Sequence, residues 1–414
     1  MELFNKNGIN ILIEAAPKTP RYSIQFFFKI FKKQKYNGIN SLLARLLLQG
    51  TKKYSASRLA YMFENECIDI STKAKQDYIK VSLCFLNEDF ELAMDLVKDL
   101  ILNSTFDDFE KEVIKIKGDI NSDLDNPKVK MTDAFVKTIY KNHPYSETST
   151  TILNDLDKIT KEDIIEAHKQ MLASKKAIVI VGDIENQEKI LSYFENKFSF
   201  MKSNDSQDEI EDLFNNSIEK DEYVWISKND AKQAQIIQGC LLESFNSELC
   251  AKISVMNNIL GSSGLSSRMF VNLRDKQGLA YNVRSQYDTM LHSAIFNMYI
   301  GTTPKNIRKS LEGFRIELEK LANEKVTDEE LKGAKENISG KLKYFSQNNS
   351  QIASVQGYNF VMGLGLKYKE LYLDDVYNVS KDDVCHIANK IINTKKTTAI
   401  IAPDEYKEQI KDLL

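Results

Sequence analysis

Thr160–Ile184, TKEDIIEAHKQMLASKKAIVIVGDI, lies without a gap over Ser380–Asp404, SKDDVCHIANKIINTKKTTAIIAPD, at a shift of 220 positions (160 to 380). Lys161/Lys381, Asp163/Asp383, Lys175/Lys395, Lys176/Lys396 and Ile180/Ile400 coincide. Both segments read as a helix that opens on a hydroxyl residue with acids in its first turn, followed by an apolar strand. In the first copy the helix runs to Leu172 and the strand Ala177–Val181 stops at Gly182. The same shift lays Phe106–Glu110 over Val326–Glu330, where Asp108/Asp328 and Glu110/Glu330 coincide at the start of another helix. A repeat this long means two homologous α+β domains, not a solenoid. The expected division is 1–203, a connection at 204–221 and 222–414, because Met201 to Asp221 turns polar and acidic with few apolar anchors.

The bulk properties agree. A chain of 414 residues exceeds one ordinary core. Hydrophobic residues at 42% and charged residues at 28% describe a soluble globular protein. A net charge of −3 gives no general attraction to nucleic acid or to an anionic membrane, and no run of about eighteen apolar residues occurs. Cys67, Cys84, Cys240, Cys250 and Cys385 include no C-x-x-C pair and read as reduced thiols. With no basic-then-apolar segment at the N-terminus, the expected location is cytoplasmic.

Upstream of the repeat, Ile9 to Ile30 reads as two strands about a turn at Pro17-Lys18-Thr19-Pro20. An apolar helix is expected between Gly38 and Gly50 and another over Ser55 to Cys67. Strands follow at Asp69–Thr72 and Asp77–Leu86, then helices at Asn87–Leu102 and Asp107–Asp123, the last carrying Glu112 and Asp119. Each domain is therefore expected to be an antiparallel sheet covered by helices on one face.

In the helix between Gly38 and Gly50, Ser41, Ala44 and Arg45 fall at i, i+3 and i+4 and share a face. His, Glu and His at those positions would make an H-x-x-E-H zinc motif, and this chain has none of them. A hydroxyl and a guanidinium cannot replace two imidazoles, and Ala44 offers no proton acceptor to act as general base. The remaining histidines, His143, His168, His292 and His386, are single and far apart, and read as surface or packing residues.

The absent motif, the helix with Glu112 and Asp119, the His143-Pro144-Tyr145 loop, the Gly261–Phe270 segment and Leu273-Arg274-Asp275-Lys276-Gln277-Gly278-Leu279-Ala280-Tyr281 together resemble the insulinase/pitrilysin family of inverzincin peptidases. The resemblance is to the branch of mitochondrial processing peptidase and its short bacterial relatives. It implies that the two halves make one clam-like subunit, about half of a full insulinase-type chamber. It places the zinc-ligand positions at Ser41, Arg45 and Asp119, the general-base position at Ala44, and a supporting acid at Glu112. No zinc is then expected in this chain.

The resemblance also implies that Arg274 and Tyr281 reach a zinc site on another domain or subunit, to hold the substrate backbone and support the oxyanion. The plain alternatives are an Arg salt bridge and a core Tyr. The loop with Gly261 and Gly264 has no G-K-[ST] sequel to make a phosphate cradle. It is either a flexible lip against peptide substrate or a simple turn between helices. The expected role is a non-catalytic subunit of a heterodimeric zinc peptidase, with zinc in a homologous partner and peptides as substrates. The alternative is an inert pseudo-peptidase scaffold, for which a homodimer is the expected assembly.

Overall fold

The computed structural model of the chain describes residues 1–16, 20–30, 32–141, 143–204, 219–243, 247–344 and 346–413. Most of the expected turn at Pro17–Pro20 and most of the connection at 204–221 lie outside these residues. The strands are β1 (Glu2–Lys6), β2 (Ile9–Ala15), β3 (Arg21–Lys29), β4 (Asp69–Ala74), β5 (Tyr78–Leu86), β6 (Lys176–Gly182), β7 (Glu222–Ser227), β8 (Ala234–Leu242), β9 (Ala280–Thr289), β10 (Ala294–Thr302) and β11 (Thr397–Ala402). They form a six-stranded sheet in the order β1-β2-β6-β3-β5-β4 and a five-stranded sheet in the order β7-β11-β8-β10-β9.

The two sheets share one plan. A strand of each repeat, β6 or β11, pairs parallel with the strand before it in the order and antiparallel with β3 or β8 on its other side. All remaining pairs are antiparallel. So β2 and β3 are not partners, although they follow one another in the chain: β6 lies between them. The first sheet adds β1, hinged to β2 through Asn7 and Gly8, which have φ of 50° and 86°. Asn-Gly is the preferred pair for such a turn.

The repeat helices Lys161–Ala173 and Lys381–Asn393 begin identically. Thr160 and Ser380 accept from the backbone N–H groups of Asp163 and Asp383, whose carboxylates accept in return from the backbone N–H groups of Thr160 and Ser380. This reciprocal cap satisfies two otherwise orphaned donors. The helices also end alike. The Lys176 ammonium donates to the carbonyl of Leu172, and the Lys396 ammonium to those of Ile391, Ile392 and Thr394 at 2.8–3.0 Å. A cation at a helix C-terminus meets its unpaired carbonyls and the negative end of its dipole. Lys161 pairs with Asp107 and Lys381 with Asp328, tying each repeat helix to the start of its neighbour.

Two compact units emerge, and each takes a segment from the other half of the sequence. One comprises 1–120, 150–213 and 344–366; the other comprises 121–149, 214–343 and 367–414. In the first unit the helix Asn349–Val361 packs on β3 and β6, and in the second the helix Pro127–Ile139 packs on β8 and β11. The ninth residue of each makes the close approach with sizes exchanged. Gly357 sits against Phe27 of β3, where a Cβ would come 2.2 Å from the ring, and Phe135 sits against Gly239 of β8, where a Cβ would come 2.9 Å from it. Large against small on either side gives the same interdigitation. Among the described residues no helix is long and apolar enough to cross a membrane.

Candidate functional site

The helix expected between Gly38 and Gly50 is shorter than that span, Ile39–Leu46. Ile39, Leu42, Leu43 and Leu46 are buried, which turns Ser41 and Arg45 to the other side. Its entry is fixed by Gly38 at φ 91°, where a Cβ would come 2.8 Å from Ile152, and by Asn37, whose side chain donates to Asp155 at 2.7 Å. Ala44 is 3% exposed, and its carbonyl accepts from the Thr72 hydroxyl of edge strand β4 at 2.5 Å.

The helix Phe109–Leu124 presents Glu112, Ile116, Asp119 and Ile120 on one face. Glu112 is buried and Asp119 is exposed. The Arg45 guanidinium reaches both: Nη2 donates to Asp119 Oδ2, and Nη1 lies 3.9 Å from Glu112 Oε2. Lys115 pairs with the other oxygen of Glu112. Two carboxylates thus face two cations, and the charges cancel without an ion.

This donor set does not fit zinc. Ser41 and Ala44 supply no ligand, and Arg45 puts a fixed positive charge on the carboxylates a dication would need. Among the described residues no group of three or more His, Cys, Asp or Glu is arranged to hold a metal. His143 and His168 are buried, His168 with its Nε2 at 2.6 Å from the Ile101 carbonyl.

Arg274 and Tyr281 lie in the other unit and come together there. A π-helical turn, Phe270–Lys276, carries Arg274; Gly278, at φ 60°, turns the chain so that its N–H meets the Arg274 carbonyl at 2.9 Å. The chain then enters β9, an edge strand. The guanidinium carbon of Arg274 stands 4.3 Å from the centre of the Phe270 ring and 5.3 Å from that of Tyr281. Both plain alternatives fail on geometry. Arg274 forms no ion pair among the described residues, and Tyr281 is 82% exposed. What the arrangement offers is a positive, hydrogen-bonding edge formed by a guanidinium and a phenol.

Gly261 and Gly264 differ in kind. Gly261 belongs to a buried π-helical turn, Asn258–Ser262, where a Cβ would come 2.5 Å from the Ser285 backbone nitrogen of β9. Gly264, at φ 94°, has open space around it, and the neighbouring Leu265 is 73% exposed. Only the second glycine stands in an accessible loop.

A family model described as insulinase (peptidase family M16) matches residues 14–151, and one described as the peptidase M16 inactive domain matches 158–338. The chain belongs to the M16 peptidase family. Similar proteins include an uncharacterized zinc protease of Rickettsia felis, 25% identical with 97% of each chain covered. A non-peptidase homolog YmxG of Helicobacter pylori is 24% identical, over 84% of this chain and 80% of its own. Among solved structures, the M16 inactive domain from Pseudomonas fluorescens superposes with a TM-score of 0.87 at 21% identity, covering 97% of each chain. A Helicobacter pylori protease gives 0.83 at 19% identity, covering 97% of this chain and 99% of that one. This M16 chain is thus a homologue of proteins named as zinc proteases, and over residues 158–338 it matches the family's inactive domain.

Proposed function

We propose that this M16 chain is the non-catalytic, substrate-binding subunit of a two-chain zinc peptidase, and that a homologous partner brings the metal. The observation that carries the reading is the stacked Arg274–Tyr281 pair, in which Tyr281 is 82% exposed and the half-buried Arg274 forms no ion pair among the described residues. In this reading Arg274 and Tyr281 act at the partner's zinc site. They bind the substrate backbone and stabilise the charge that develops on the scissile carbonyl oxygen, a task for donors held in place in advance. Gly264 and its loop touch the peptide, and Gly261 fixes the base of that loop against β9. Ser41, Ala44, Arg45 and Asp119 occupy the positions of a lost zinc site, with Glu112 behind them. A peptide substrate would add as a strand to a free sheet edge, where backbone hydrogen bonds give affinity and pockets give selectivity. The stretches 1–203 and 222–414, joined by 204–221, are then two copies of one ancestral unit.

The test is to mix the chain with a homologous M16 subunit carrying an intact H-x-x-E-H motif, and to record native mass and cleavage of an unfolded peptide. A two-chain assembly that cleaves faster than the partner alone supports the reading. A mixture no faster than the partner alone overturns it. A second reading, an inert pseudo-peptidase scaffold, is favoured by the name of the Helicobacter pylori relative, a non-peptidase homolog. A stable homodimer that ignores zinc-bearing homologues would select it.

A further inference from the structure

A cavity of about 260 Å³ lies under the helix Pro127–Ile139, between it and the face of the second sheet. Its floor and one wall are apolar, from Phe135, Val136, Ile237 and Ile295. Two cations enter it. Lys128 places its ammonium 4.6 Å from the centre of the Tyr299 ring, and Arg284 its guanidinium carbon 5.6 Å from the same ring. Neither forms an ion pair among the described residues. Asp288, the one acid of the lining, makes no ion pair with either, but it lies close enough to Arg284 that the guanidinium partly offsets the upward push of burial on its carboxyl.

Two like charges over one ring, partly out of water, are costly; Asp288 opposes Arg284 only from beyond ion-pair distance, and the quadrupole of a single phenol is a weak counterweight. Burial, and then Arg284, pull the Lys128 ammonium below its ordinary range. The hydrogen-bond inventory is incomplete on both sides. Arg284 Nε is a buried donor without an acceptor, and Asn297, 5% exposed, leaves Oδ1 a buried acceptor without a donor. Buried polar atoms of this kind usually have partners, and here the unpaired donor and acceptor belong to two side chains that line one cavity.

Its chemistry can be read from the orphans. The cations and Arg284 Nε call for an anion. Asn297 Oδ1 calls for a hydrogen-bond donor, which an amide N–H supplies. The apolar floor calls for a hydrocarbon body, and the volume lies just below the usual range of small-ligand pockets. We propose that this cavity binds the carboxylate end of a peptide or acylated amino acid, with its carboxylate between Lys128 and Arg284, its amide N–H on Asn297 and its apolar side chain against Phe135 and Ile295. The proposal stands apart from the role of Arg274 and Tyr281 and does not depend on it.

Titration calorimetry of the full chain with N-acetyl-leucine, N-acetyl-leucinamide and inorganic phosphate tests it. The acid is expected to bind, and the amide, which differs only in charge at one end, to bind about tenfold or more weakly. Phosphate is expected to compete poorly. Lys128→Met and Arg284→Gln should each weaken the acid about tenfold, whereas Lys130→Met, on the same helix outside the cavity lining, should leave it unchanged. Comparing Ala-Ala-Leu with N-acetyl-leucine separates the sources: tighter binding of the tripeptide acid points to a peptide end, the reverse to a free acylated amino acid. Equal affinity for acid and amide in the unaltered protein, or no binding of the acid at millimolar concentration, would overturn the proposal whatever the variants do.

Discussion

Arg45 holds together two acids that the helix Phe109–Leu124 would otherwise leave in mutual repulsion, one of them buried. Removing the guanidinium leaves Glu112 with Lys115 as its remaining ionic partner. Arg45→Ala should therefore destabilise the fold by about 1–3 kcal/mol, measured by urea unfolding. A neutral result would mean the guanidinium is a bystander. Arg274 makes the opposite case. Its contacts are two ring faces and it is half-buried, so Arg274→Ala should cost no more than about 1 kcal/mol in the same assay. The residue chemistry was half legible from sequence. That Ser41, Ala44 and Arg45 cannot hold zinc follows from their side chains alone. That Arg45 turns instead to Glu112, far along the chain, does not, because spacing within one helix says nothing about which helix packs beside it. The exposure of Tyr281 was equally hidden: an aromatic in an alternating strand fits a core as well as an edge.

At the level of elements, the repeated helix and strand were plain in the sequence because their period, their opening acids and their paired lysines recur. The first strand was missed although Asn7-Gly8 marks its turn. The β2–β3 neighbourhood misleads because a strand from far along the chain inserts between them. The exchange of covering helices left no local trace, since a helix amphipathic enough for one sheet fits its homologue. Two consequences can be measured. Burial alone would push the Asp383 carboxyl up, but Ser380 and Lys252 together hold it down to about 2, below its ordinary 3.8. A depressed folded-state value stabilises above the unfolded value. The contribution is thus complete above about pH 4 and lost as pH falls through about 2. Asp383→Asn should lower stability at neutral pH and flatten the acid limb of a stability curve taken from pH 6 downward; an unchanged limb would refute the assignment. The two glycines should also separate. Gly261→Ala drives a Cβ into the Ser285 backbone and should cost about 1–3 kcal/mol, whereas Gly264→Ala meets only the cost of a left-handed backbone, about 1 kcal/mol. Equal costs in thermal unfolding would deny the difference in their surroundings.

At the scale of the molecule, each compact unit contains a segment from the opposite half of the sequence, so neither half of the chain is a complete folding unit. Truncation at the 204–221 connection should leave each sheet without the helix that the other half supplies, and both fragments should unfold at lower denaturant than the intact chain; a fragment as stable as the whole would contradict this. Among the described residues no donor set is arranged to hold a metal, yet an exposed phenol stands beside a half-buried guanidinium at an edge strand. In the proposed assembly, hydrolysis belongs to a zinc-bearing partner and substrate support to this subunit. The most direct test is peptide cleavage by an equimolar mixture of that partner with this chain, comparing the unaltered protein with Arg274→Ala at matched assembly by native mass. The account predicts that the assembly forms equally well with either and that the variant lowers kcat about a hundredfold, the scale of losing one transition-state donor. An unchanged kcat with Arg274→Ala in a fully assembled mixture would contradict it.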